Sequence, residues 1–313
     1  MRREPKAAPR AAAAVLLTAV LLPGLSGLTG CASKPTFPGD RMAESVQKIA
    51  KDIHNLDAVA HVNNRTLGVQ WTGDALLDEE GKGISKEVNE LIGSLSSAVS
   101  RVALSTDRPV DFVVVSARGI QESMELRVIR RVDDIRRAQA EALSVTESMT
   151  RTLFQQVPFD PAQPGEFDTG DWTLEDFLTK QVLQRVRMAK PADPQNPVPS
   201  ELYDGKFELD EKKHRTFEFS ILTFKQENSR ENILNVLRTV RDVFSAYRYD
   251  LFDQIVIRDL IHNRRLVIGK STMKIFEAKK ITEEELLSTR LAPDTSRPNA
   301  FKNALEVFGF NVS

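Results

Sequence analysis

The chain has 313 residues but only one cysteine, Cys31, and four histidines. A single thiol cannot form an internal disulfide, so stability must come from buried cores. The one sizeable apolar run, Ala11 to Leu22, is too short to span a hydrocarbon layer of ~30 Å. Charge of one sign is also missing, with 43 Lys and Arg against 44 Asp and Glu. Such a surface offers no basic excess to nucleic acid or anionic lipid.

Catalytic signatures are equally scarce. His54, His61, His214 and His262 form no H-E-x-x-H or H-x-x-x-H pair, the spacings that place two imidazoles on one metal. There is no G-x-S-x-G nucleophile elbow. Gly269-Lys270-Ser271 ends like a phosphate-binding loop, but the glycine needed five residues earlier is Arg264. That triplet reads as a strand end and helix start. Asp168-Thr169-Gly170 copies the aspartic-protease triplet only once, whereas that chemistry needs two carboxylates sharing a proton; it reads as a turn. Asp74, Asp78, Glu79 and Glu80 lack the alternating oxygen spacing of a calcium loop. They read as an acidic loop before a helix N-terminus, where negative charge is favoured. The expectation is no cofactor, no metal site and, on balance, no enzyme; a hydrolase of unrecognised type stays as a lesser alternative.

What is present begins at the N-terminus. Arg2, Arg3, Lys6 and Arg10 precede the apolar run, Pro23 and Gly24 end it, and small residues lead to Leu28-Thr29-Gly30-Cys31. This three-part build is that of a secretory signal. The segment resembles a type II signal peptide with a lipobox. The resemblance implies cleavage before Cys31, acylation of its thiol and new amino group, and anchoring in the bacterial cell envelope. Two acyl chains meet the requirement for stable anchoring. Ala32 and Ser33 follow the cysteine where an aspartate would imply retention in the inner membrane. The resemblance therefore implies the periplasmic face of the outer membrane. The tether, residues 31–40, reaches at most ~30 Å. Residues 1–30 hold four of the basic and one of the acidic residues, leaving 39 against 43 in the remaining chain.

Seven of the fifteen prolines fall in two clusters, Pro158/Pro161/Pro164 and Pro191/Pro194/Pro197/Pro199. They suggest a linker at 158–172 and a Pro-rich loop at 190–200. The expected organisation is a first α+β unit at 41–157, a second at 173–292, and a C-terminal linker and short helix at 293–313. Phe301, Leu305 and Phe308 would dock that helix.

The two units repeat one order of elements, α-β-β-α-β-β. The first has a helix from Met42 to His54 with Val46, Ile49, Ala50 and Ile53 on one face. Strands at Ala58–Val62 and Thr66–Trp71 follow, turning at Asn63-Asn64, where asparagine tolerates positive φ. Next come a helix from Ser85 to Leu104, strands at Asp111–Ala117 and Glu125–Ile129, and a helix carrying Ile135. The second has a helix at 174–189, opened by Thr173 and Asp176 like a capping box. Strands at Lys206–Leu209 and Thr216–Phe224, a helix from Arg230 to Tyr247, and strands at Asp253–Leu260 and 265–268 complete it. Arg265-Leu266-Val267-Ile268 is matched to Leu126-Arg127-Val128-Ile129, and Ile281-Thr282-Glu283 to Val145-Thr146-Glu147. The fold class is α+β, with two tandem, possibly duplicated units. Each is a mainly antiparallel, four-stranded sheet with one face under amphipathic helices.

Arg127, Arg130 and Arg131 in the first unit, and Arg264, Arg265 and Lys270 in the second, form local basic runs. They are candidates for receiving an acidic partner or anionic polymer; solvated faces balanced by nearby aspartates are the simpler reading. The functional expectation is a membrane-anchored, non-enzymatic scaffold or assembly factor that binds envelope proteins. The alternative is a peptidoglycan or polysaccharide binder using exposed Trp71 or Trp172.

Overall fold

The apolar period switches from 3.6 to 2 and back along the chain, and the backbone follows it. The computed structural model describes residues 36–188 and 200–296; the signal segment, the whole second proline cluster and the expected C-terminal helix lie outside these. Helix α1 (Met42–His54) buries Met42, Val46, Ile49 and Ala50. Ile53, expected on the same face, is 57% exposed in the last turn. Strands β1 (Val59–Asn63) and β2 (Thr66–Gly73) form an antiparallel hairpin, and Asn64 takes φ 49° at its tip. Helix α2 (Lys86–Ser105) starts under Ser85, whose hydroxyl accepts from the Val88 N–H at 3.1 Å. It carries the chain across to β3 (Phe112–Gly119), which lies parallel to β2, as a parallel pair requires. Strand β4 (Met124–Arg131) returns antiparallel.

Two short helices, α3 (Val132–Gln139) and α4 (Val145–Thr150), then lead to β5 (Leu153–Pro158), antiparallel to β4. The first sheet thus has five strands in the order β1-β2-β3-β4-β5, one more than expected. Helix α5 (Leu174–Met188) opens the second unit, followed by β6 (Ser200–Leu209), β7 (Arg215–Thr223), α6 (Ser229–Tyr247), β8 (Gln254–Asp259) and β9 (Arg264–Gly269). Helices α7 (Lys270–Glu277) and α8 (Glu283–Arg290) precede β10 (Leu291–Pro293). The second sheet runs β10-β9-β8-β7-β6, and its one parallel pair, β7 with β8, again joins the unit's second and third strands in chain order. The two tandem units therefore share one topology.

Register refines the repeat. Thr66 pairs with Phe112 as Thr216 pairs with Gln254. Counting from those positions, Arg127, opposite Ser116, corresponds to Arg265, opposite Arg258. The expected match of β4 to β9 is one residue out, a slip that would exchange the faces of a strand. The helix caps correct the other match: Ser144 caps α4 and Thr282 caps α8, so the expected echo is two residues out. At α5, Thr173 accepts from the Asp176 N–H at 3.1 Å, but the Asp176 carboxylate takes the Thr173 hydroxyl rather than its N–H. Only half of a capping box forms there.

One core spans both units, and a second lies between the first sheet and helices α1 and α2. Strand β3 is buried at every residue: Val113 and Val115 face α1 and α2, while Phe112 and Val114 face α5. The Phe112 and Phe177 rings meet at 5.2 Å. Helix α5 therefore covers the back of the first sheet while packing on α6 and β6. Full burial of side chains such as Phe177 and Leu178 stabilises by about 1.5–3 kcal/mol each. Sheet 1 has helices on both faces, against the single covered face expected. The 158–172 segment crosses this side of the sheet, with Phe167 and Thr169 buried.

Candidate functional site

Three buried clusters of ion pairs stand out among the described residues. Glu125 on β4 is almost fully buried and accepts from Ser116 at 2.8 Å, from Arg118 Nε at 2.9 Å, and from Arg127. Gln70 extends the chain by donating to Ser116 at 3.0 Å. Burial alone would push the Glu125 carboxyl up; the bonds from Arg127, Arg118 and Ser116 outweigh it, and the group sits below its ordinary range. The Arg118 guanidinium lies 5.3 Å from the Phe159 ring centroid and donates to the Gly165 carbonyl. On the second sheet Arg258 bridges Glu218, at 3.2 Å, and Asp294. Burial acts to raise Asp294 and bonds from Ser296 and Arg258 lower it, with the lowering dominant.

The third cluster joins the units. Arg151, just after α4, donates to Asp134 at 3.0 Å, to Glu147 at 2.7 Å and to the Ala246 carbonyl at 3.0 Å. Asp134 Oδ2 is buried with no partner. Burial accordingly holds this carboxyl above its ordinary range despite Arg151. Every one of these clusters spends its charges on neighbours, which suits a structural ion pair better than a group held ready for a substrate.

A cleft of about 940 Å³ lies beside β5. Its walls are β4 and β5 of the first sheet, Ile84 just before α2, Asn89 and Ile92 on α2, the Lys180–Leu183–Gln184–Arg187 face of α5, and Asp204 of β6. The i, i+3, i+4, i+7 spacing on α5 is one helical face. Cations outnumber carboxylates, with Arg127, Lys180 and Arg187 against Asp204.

The basic residues expected from the sequence are not gathered in one patch. Arg127 lines the cleft while bonding Glu125. Strand alternation puts Arg131 on the face of Arg127 and Arg130 on the opposite one. Arg130 is half-buried and reaches Ser148 Oγ at 3.2 Å, and burial lowers its pKa. Arg131 lies 3.9 Å from Asp133. On the second sheet Arg264 and Arg265 alternate likewise on β9, and Lys270 pairs with Asp250 at 3.3 Å. Both tryptophans are half-buried rather than exposed: Trp71 packs on the first core and Trp172 on the second.

The remaining motifs take ordinary roles. Gly269 ends β9 and α7 begins at Lys270. Asp168 Oδ1 accepts from the Gly170 N–H at 2.9 Å, and Gly170 has φ 68°. Ser229 donates to Asp259, which also accepts from the backbone N–H of His262. An acyl-transfer triad needs the imidazole between the other two; here the carboxylate is in the middle, Ser229 is fully buried, and His262 Nε2 has no partner. Among the described residues no group of three or more His, Cys, Asp or Glu could hold a metal ion, and no helix is long and apolar enough to cross a membrane.

Sequence reasoning missed Gln184 and Lys180, which stand on a helix whose periodicity announces only its apolar face. It also missed the Glu125 and Asp134 clusters, whose partners are brought together by the sheet. Comparison with known protein families, with curated proteins and with solved structures finds no match.

Proposed function

We propose that this protein is an envelope lipoprotein, anchored through Cys31 on the periplasmic face of the outer membrane, that binds other envelope proteins without catalysing a reaction. The anchor rests on the Leu28-Thr29-Gly30-Cys31 resemblance. The binding role rests on one observation: the long cleft beside β5, lined by cations, amides and apolar side chains. A surface of that composition suits a polypeptide segment. The tryptophans expected to form a sugar platform, Trp71 and Trp172, are half-buried against cores and do not line the cleft.

The test is crosslinking of the tagged protein in living cells, with mass spectrometry of what is captured, beside a Cys31→Ser variant. A reproducible, near-stoichiometric envelope protein, with loss of membrane fractionation in the variant, supports the reading. Capture of muropeptides alone would replace it with cell-wall binding.

A further inference from the structure

Strand β5 forms an edge of the first sheet, and part of that edge is already closed by a side chain. The Phe154 N–H donates to Gln184 Oε1 at 2.8 Å, and Gln184 Nε2 donates to the Thr152 carbonyl at 2.8 Å. The carboxamide thus occupies the place where a peptide group of a neighbouring strand would sit. In an antiparallel ladder, alternate residues turn their N–H and C=O away from the partner strand. Since Phe154 points outward, so does Gln156, while Leu153, Gln155 and Val157 bond to β4. The Phe154 carbonyl and both backbone groups of Gln156 therefore face the cleft, without a partner among the described residues. Pro158, which has no N–H, ends the edge.

We infer that an extended peptide segment alternating acidic and apolar residues binds here by adding a strand beside Phe154–Gln156. The inference deepens the protein-binding reading above and rests on it. Unpaired edge groups recruit a strand, and flanking side chains select its sequence. One face of the added strand meets Lys180 on α5. The other face meets Ile84, Ile92 and the half-exposed Phe154. Acidic side chains toward α5 and apolar ones toward α2 satisfy both walls.

The probe is a fluorescent, acetylated hexapeptide alternating glutamate and valine, titrated by anisotropy into the full-length protein in detergent. A lysine–valine hexapeptide is the charge control. The expected results are saturable binding of the acidic peptide, binding of the basic one weaker by about tenfold or more, and slowed hydrogen exchange at the Gln156 amide. Gln156→Pro removes the outward donor while leaving the β4 ladder bonds, a substitution edge strands tolerate. It is expected to weaken binding roughly tenfold, with Gln156→Ala close to wild type and both variants keeping the parental circular dichroism. No saturable binding, or equal binding by Gln156→Pro, overturns the inference. Partner capture in living cells that survives Gln156→Pro overturns it while leaving the protein-binding reading standing; no capture by the wild type removes that reading itself.

Discussion

Arg151 and Tyr247 clasp the two units reciprocally. The Arg151 guanidinium lies 4.8 Å from the Tyr247 ring centroid, and the Tyr247 hydroxyl donates to the Arg151 carbonyl at 3.4 Å. One residue follows α4 of the first unit and the other ends α6 of the second, so this contact exists only when both units are folded together. Burial pushes the Tyr247 hydroxyl well above its ordinary pKa, keeping it a neutral donor.

Removing the clasp should cost far more than neutralising its acid. Arg151→Met leaves Asp134 buried with only the half-exposed Arg137, at 3.8 Å, as its ion-pair partner, and about 3 kcal/mol of stability should be lost. Asp134→Asn keeps an acceptor for Arg151 and replaces the partnerless Oδ2, so the change should stay within about 1 kcal/mol. Urea unfolding of both variants at pH 7 gives the comparison; equal losses would contradict it.

Gln184 should act as a stopper on the β5 edge. Gln184→Ala removes two hydrogen bonds to Thr152 and Phe154, and should cost about 1–3 kcal/mol. The lengthened open edge should also promote self-association. Thermal melts and sedimentation at rising concentration measure the two effects separately.

The segment before α5 is packed, and a methyl group should reveal it. A Cβ at Gly68 would stand 2.3 Å from Thr169 Cγ2 and 2.9 Å from Phe167 Cζ. Gly68→Ala should therefore cost about 1–3 kcal/mol and open the 159–171 stretch to proteolysis. Gly165→Ala meets no atom but sits at φ 63°, so it should lose about 1–2 kcal/mol through backbone strain without new cleavage at Phe167 or Thr169. Limited proteolysis separates the two mechanisms.

Acid should weaken the fold through Glu125 and Asp294. Both carboxyls lie below their ordinary values of 4.5 and 3.8. Their contributions are complete above those values and are lost as pH falls through the depressed ones. Asp134, held above 3.8, runs the other way: its contribution is present below 3.8 and lost as pH rises. Glu125→Gln should thus be strongly destabilised at pH 7, with the deficit against wild type shrinking as pH falls below 4.5 and through the depressed value. A stability difference independent of pH would rule out this assignment.

Much of the fold is legible in the residues because it depends on local period. Val46, Ile49 and Ala50 at helical spacing, Ser85 as a cap, and Asn64 at a hairpin tip each state their own conformation. Strands β5 and β10 were not legible. Leu153-Phe154-Gln155-Gln156-Val157 is too polar to stand out, and it becomes a strand because β4 offers it an edge. The run Phe112-Val113-Val114-Val115 did carry the missing information, since an unbroken apolar strand is one buried on both faces.

By itself, then, the sequence determined the order of most helices and of every strand but β5 and β10, their repetition, and the absence of an internal disulfide, since each follows from neighbours within a few residues or from composition. Only the tertiary structure decided that α5 is sandwiched between the units, that Arg130 and Arg131 part to opposite faces, and that Gln184 meets Phe154 and Thr152. Those outcomes depend on which strand edges and helix faces meet across long separations, where burial and hydrogen-bond satisfaction are settled for the whole core at once.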